Sequence, residues 1–181
     1  MPNYNYKCRL HTIKAVVFDV DGVLTDGLIH SMPNGDLLRS FDSKDRMGLR
    51  MWILRRYPIG IITGGQTQSI EQFFRGLGLP ENCLYQRSRK KLPDFLDFCK
   101  QNALEPHQVA YVGDDLPDIP VLEQCGLAVC PSDAVPEVKA VCHYVSLYPG
   151  GRGCARDLIE QLLKVRGEWE LDLDAYNEEC R

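Results

Sequence analysis

Long apolar runs are missing from this 181-residue chain. No stretch approaches the roughly 18 residues that a spanning helix needs, so an integral membrane role is not expected. A basic surplus is also missing: 21 Lys and Arg stand against 25 Asp and Glu, a net charge of −4, and a nucleic-acid footprint would call for the reverse. The eight cysteines contain no CxxC pair, which argues against a zinc site or a thioredoxin-type centre. They are scattered through apolar segments and read as reduced, buried thiols of a cytoplasmic protein. The opening MPNYNYKCRLH has no apolar core of the signal-peptide kind. Histidines are few and dispersed, at His11, His30, His107 and His143, and are read as structural or exposed. No repeat or low-complexity tract is present.

What remains is an ordinary globular composition, 44% hydrophobic and 25% charged, of a length that suits one domain over 1–181. Buried strands are expected at 13-IKAVVF-18, 59-IGIIT-63, 109-VAYV-112, 127-LAV-129 and 142-CHYV-145, with a short one at 83-CLY-85. Helical spacing occupies 44–57, 67–78, 91–102, the stretch after Pro117, and about 152–166. Between the first strand and the first long helix, 28-LIHSMPNGDLLRSF-41 reads as a β-hairpin turning at Asn34-Gly35. The last stretch, 168–181, is acidic and read as a tail. Alternation of this kind predicts an α/β fold, a doubly wound and mostly parallel sheet covered on both faces.

In such sheets chemistry collects at the carboxyl ends of the strands. The first strand ends in 19-DVD-21, the second in Thr63-Gly64-Gly65, and the strand at 109–112 in 113-GDDLPD-118, with the basic stretch 87-RSRKK-91 between them. Gathered carboxylates call for a hard cation, and Mg2+ with oxygen ligands is the natural candidate. Mg2+ beside a lysine and glycine-rich turns suits a phosphoryl group.

In that order, DVDGVLTDG, IITGG, the lysine of RKK and GDDLPD resemble the haloacid dehalogenase superfamily, Rossmann-like phosphohydrolases, over about 13–166. The resemblance implies Asp19 as the nucleophile that forms an aspartyl-phosphate. It implies Asp21 as acid and then base, its backbone carbonyl also on Mg2+. Thr63 and Lys91 would hold the phosphoryl group, with Gly64 and Gly65 beside it. Asp114 would complete the metal site with Asp115 in support. Thr63 follows Asp19 by 44 positions and Lys91 follows Thr63 by 28, too few for an inserted cap domain in either gap. A capless crevice implies a macromolecular substrate or a roof lent by other subunits.

The hairpin, 41-FDSKD-45, 111-YVGDDLPDIPVLEQCGLAV-129 and 150-GGRGCARDLIEQLL-163 are similar to the 3-deoxy-D-manno-octulosonate 8-phosphate (KDO 8-phosphate) phosphatase group of lipopolysaccharide synthesis. That similarity implies a homotetramer whose subunits close each other's sites, with Ser43 near the phosphate and Arg152 near a site. Gly65 and Phe73 stand where that group commonly has arginine, and Arg87 where it commonly has glycine; Arg75, Arg87 or Arg89 could take over a carboxylate contact. Alternatives are the related 2-keto-3-deoxynononate 9-phosphate phosphatases, a capless phosphatase on a macromolecule, and an inactive phosphosugar-binding or assembly domain. The bland readings are N-caps or helix-start residues for Ser43 and Asp118, a first-turn residue for Arg152 and a solvated lysine for Lys91.

Overall fold

A computed structural model describes residues 5–33 and 35–170; Asn34 and 171–181, where the turn and most of the acidic tail were expected, lie outside the described residues. The chain runs through α1 (Lys7–Leu10), β1 (Ala15–Phe18), β2 (His30–Ser31), β3 (Leu37–Leu38), α2 (Ser43–Leu54), β4 (Ile59–Ile62), α3 (Gln68–Leu77), β5 (Leu84–Tyr85), α4 (Lys91–Gln101), β6 (Val109–Val112), α5 (Ile119–Leu122), β7 (Leu127–Cys130), α6 (Pro136–Val141), β8 (Tyr144–Val145) and α7 (Cys154–Val165).

Six strands form one sheet in the order β5-β4-β1-β6-β7-β8, every neighbouring pair parallel. The chain fills the sheet outward from β1 on one side and then outward from β6 on the other. The β1/β6 boundary is therefore the topological switch point, where a doubly wound sheet opens its crevice. All residues of β1, β4, β6 and β7 are buried, as strands covered on both faces must be. The helices cover it with apolar stripes at three- and four-residue spacing: Ile70, Phe74 and Leu77 on α3, and Ala155, Leu158, Ile159, Leu162 and Leu163 on α7.

Local chemistry sets the boundaries. Thr67 caps α3 by accepting from Ile70 N, and Gly78, at φ 85°, closes it while Leu79 N reaches back to Phe74 O at 3.1 Å, a left-handed C-terminal closure. The spacing at 44–57 overshoots, because α2 ends at Leu54 and Arg56 takes φ 57° before Pro58. Ser43 is not the N-cap of that helix. Asp42 is, its side chain accepting from Lys44 N and Asp45 N. The hairpin is antiparallel as expected but short, with two residues in each strand. Among the described residues the intervals 19–63 and 63–91 contain no inserted domain, only the hairpin, α2 and β4 in the first and α3, a 3-10 turn and β5 in the second. The seven cysteines among the described residues are free, and five are buried.

One buried carboxylate ties two helices together. Asp45 on α2, 2% exposed, accepts from Gly153 N at 2.9 Å and Arg156 N at 2.8 Å at the start of α7, serving from another helix the donors that α7 cannot satisfy itself. Replacing Asp45 by Ala strands those N–H groups beneath α2 and is expected to cost about 2 kcal/mol of stability, read from urea denaturation midpoints. A change under 0.5 kcal/mol, the ordinary scatter of surface substitutions, would refute the assigned cap.

Candidate active site

The register of β1 on β6 pairs Phe18 with Val112, and Asp19 N continues the ladder by donating to Val112 O at 3.0 Å. Asp19 and Gly113 thus leave the sheet side by side, and Asp114 follows one residue later. Gly22, at φ 86°, lets the first loop lie against Asp114: a Cβ there would fall 2.0 Å from its Oδ2, so no larger residue fits. Asp19, Asp114 and Asp118 bring carboxylate oxygens within 4.8 Å of one another. Lys91, the first residue of α4, reaches in from the opposite wall with Nζ 2.9 Å from Asp19 Oδ2 and 2.7 Å from Asp118 Oδ1.

These groups line one crevice of about 370 Å3 together with Asp21, Thr63, Gly64, Gly65, Ser88, Arg89, Asp115 and Pro117. The structure therefore gathers Asp19, Asp21, Thr63, Gly64, Gly65, Lys91, Asp114 and Asp115, as the sequence led us to expect. Thr63 is buried, and its Oγ1 accepts from Gly65 N at 3.1 Å. Asp115 is exposed and accepts from Leu116 N at 2.8 Å, capping the turn that carries Asp118. Ser43 and Arg152 do not reach this crevice. They line a neighbouring depression with Asp26 and Phe41, where Arg152 stands largely in solvent 3.6 Å from Asp26.

Asp118 is more than a helix-start residue. It has no exposure. Its Oδ1 accepts from Lys91 Nζ and, at 2.6 Å, from the Tyr111 hydroxyl; its Oδ2 accepts from Asp114 N at 3.1 Å and Asp115 N at 3.3 Å. Both oxygens are thus committed to protein donors, and Asp118 acts as the strut that aims Lys91. Tyr111, hidden in the apolar run of β6, gave no sequence signal. Two further residues went unnoticed. Arg39, read as part of the hairpin, clamps Asp21. Ser88 has a buried hydroxyl with no partner at the crevice wall.

Burial raises the Asp19 carboxyl well above the carboxylate range, the charge of Asp118 adding to it and Lys91 opposing. Burial, then Asp19 and Asp118, pushes Asp114 up to about 8. Burial alone would lower Lys91, but Asp19 and Asp118 outweigh it and hold the ammonium charged. Asp114 Oδ1 is buried with no hydrogen-bond partner, an uncommon state for a carboxylate oxygen. An all-oxygen cluster with an unpartnered lone pair and too few positive charges fits a hard divalent cation such as Mg2+. Asp19 and Asp114 are the residues free to hold it.

Removing the strut should be costly. Asp118→Ala leaves Lys91 with one partner and the Tyr111 hydroxyl with none, and is expected to lose about 3–5 kcal/mol by chemical denaturation. Tyr111→Phe, which removes one donor only, should lose about 1 kcal/mol. Equal losses for the two variants would contradict the four-donor role.

Comparison with known proteins agrees with this geometry. The family model of haloacid dehalogenase-like hydrolases matches residues 84–156. Over 160 residues the chain is 39% identical to the 3-deoxy-D-manno-octulosonate 8-phosphate phosphatase of Escherichia coli K12, covering 88% of this chain and 84% of that protein. The crystal structure of the phosphatase of that name from Yersinia pestis superposes with a TM-score of 0.87 at 35% identity, over 92% of this chain and 89% of that one. The enzyme from Moraxella catarrhalis, solved with magnesium, phosphate and KDO, gives 0.86 at 27% identity, over 97% of each chain. This chain belongs to the haloacid dehalogenase-like hydrolases, within their 3-deoxy-D-manno-octulosonate 8-phosphate phosphatase group.

Proposed function

We propose that the protein is a Mg2+-dependent phosphatase that hydrolyses 3-deoxy-D-manno-octulosonate 8-phosphate to the free sugar acid and phosphate. The observation that carries this reading is the Asp19–Lys91–Asp118 contact at the end of β1 beside the unpartnered Asp114 oxygen. It supports reading Asp19 as the nucleophile, Lys91 as a fixed cation and Asp114 as a cation-binding carboxylate at one point.

A carboxylate oxygen of Asp19 attacks phosphorus, the O–P bond to Asp19 forms, and the bond to the sugar oxygen breaks. Asp21, two residues on and in the same crevice, gives the departing oxygen its proton and then takes one from the water that attacks the aspartyl-phosphate. That attack breaks the Asp19–phosphorus bond and releases phosphate. Lys91 offsets the charge of Asp19 and of the phosphoryl oxygens, and the Thr63 hydroxyl with the Gly64-Gly65 turn receives those oxygens. Asp19 and Asp114, with Asp115 and the Asp21 backbone carbonyl, would hold Mg2+, which would supply positive charge to the transferring group.

The crevice has no cap among the described residues. The hairpin exposes Leu28, Ile29, Met32 and Leu38, and Leu147 and Tyr148 are exposed near α7. Apolar surface of this amount supports a homotetramer in which neighbours close each site, Ser43 and Arg152 then serving from the depression they share. No helix among the described residues is long and apolar enough to cross a membrane.

Phosphate release from a panel of phosphosugars, with and without EDTA, tests the reading. The sugar acid 8-phosphate should be turned over fastest, EDTA should stop it, and Asp19→Asn should lower kcat by at least about a thousandfold. Undiminished release by that variant would refute the assigned nucleophile. The raised carboxyls add a pH test. With Asp19 and Asp114 above their unfolded values, the metal-free native state holds more protons than the unfolded chain. Its stability therefore declines as pH rises from about 4 towards about 8. Mg2+ must displace those protons, so its increase in Tm should be larger at the alkaline end of that range than at the acid end, and Asp114→Asn should flatten the difference. A Tm increase independent of pH would contradict the metal assignment.

A further inference from the structure

Arg39, one residue past β3, is not part of the reaction scheme above, yet its guanidinium, with the side chain 1% exposed, lies directly behind Asp21 of the crevice wall. Its Nε is 2.6 Å from Asp21 Oδ1 and its Nη2 is 3.0 Å from Asp21 Oδ2. Its Nη1 is 3.4 Å from both Leu37 O and Thr67 Oγ1. This is a two-pronged arginine–carboxylate pair, the geometry with the highest specificity for a planar carboxylate.

Two features hold the arm in place. Phe41 stacks on Phe73 with ring centroids 3.7 Å apart at 9°, and Phe74 meets Phe41 edge-on at 5.9 Å and 81°. Gly65 makes the room: a Cβ there would sit 2.9 Å from Arg39 Nη2, so any side chain at 65 competes for the space the guanidinium fills. Of the other candidate cations, one stands out in solvent and one lines the crevice directly. Arg75 is exposed and paired with Glu71 at 2.7 Å and Glu81 at 3.4 Å, and Arg89 is the further arginine at the crevice wall.

Resting on the sugar-acid reading above, we propose that Arg39 is the specificity-determining residue for the substrate's carboxylate. It pairs with Asp21 until a carboxylate on the incoming phosphate ester competes for the fork. The exchange replaces one carboxylate by another, so the guanidinium never loses its partner, and Asp21 is released to face the ester oxygen. A phosphate ester without a carboxylate must break the pair and offers nothing in return. Such a site selects for one substrate and against another by the same contact, because an unpaired buried charge is what the wrong ligand leaves behind.

The test compares kcat/KM for 3-deoxy-D-manno-octulosonate 8-phosphate and for glucose 6-phosphate, which has no carboxylate, in the wild type, Arg39→Gln, Arg39→Lys and Gly65→Ala. The ratio of the two values should fall at least about 30-fold in Arg39→Gln, mostly through KM for the sugar acid, and less in Arg39→Lys, which keeps the charge and loses the fork. Gly65→Ala leaves Arg39 intact but crowds Nη2, and should lower the ratio too; it also serves if Arg39→Gln does not fold. Inhibition by the free sugar acid should weaken in parallel. A ratio within about twofold of wild type in both Arg39→Gln and Gly65→Ala, with both esters slowed together, would reduce Arg39 to an orienting group for Asp21 and overturn the proposal. A wild-type enzyme that does not favour the sugar acid at all would overturn the function reading itself, and the proposal with it.

Discussion

The double contact of Lys91 with Asp19 and Asp118 is the constraint around which the rest of the molecule is arranged. Three carboxylates whose oxygens fall within 4.8 Å repel one another strongly in a buried setting. One ammonium neutralises only a third of that charge. The remainder appears as the raised Asp19 and Asp114 carboxyls, and a divalent cation is the smallest addition that balances it. Asp21 and Arg39 form a second, separately neutral compartment on the other wall. The crevice is thus divided between a side whose charges await a metal and a phosphoryl group and a side already balanced internally.

Neither compartment is built on a loop alone. Asp19 extends the ladder of the central strand, and Lys91 opens a helix whose Phe95 and Phe98 are fully buried. The Asp118 carboxylate is fixed from below by Tyr111 of β6 and from above by the backbone of its own turn. Desolvating a carboxylate is costly unless every lone pair finds a donor, and Asp118 finds four. That saturation separates it from Asp114, whose neighbouring position would otherwise suggest the same job. Placing the strut in the apolar core couples the site's electrostatics to the stability of the sheet centre.

This division also explains what could be seen in the sequence. Asp19, Thr63 and Asp114 each follow a run of buried apolar residues, so period and strand length place them at a strand end without further information. Lys91 has two basic neighbours, and only the start of α4 decides which of the three turns inward. Asp118 was legible as an acid near a helix start, but its partner Tyr111 looks like any other core residue of a parallel strand. Arg39 and Asp45 lay beyond sequence reasoning for a different reason. Each acts on a residue distant in sequence, Arg39 on Asp21 and Asp45 on the start of α7, and no local periodicity encodes such a meeting. The bland reading of Ser43 as a cap fails because Ser and Asp stand side by side there, and the carboxylate of Asp42 takes the position one residue earlier.

The hairpin joins these points. Two residues per strand are too few to hold a hairpin together in water, so its position depends on what it touches. Inward, it is fixed by the Arg39–Asp21 pair and by Phe41 lying on Phe73. Outward, it presents Leu28, Ile29 and Leu38, and covering that face with a second copy of the chain would add the burial that the strands lack. An arm so short cannot be loosened at its tip without loosening Arg39, and Arg39 cannot shift without freeing the Asp21 carboxylate. A second copy on the outer face, were it there as proposed, would act on Asp21 on the inner one through this same short hairpin.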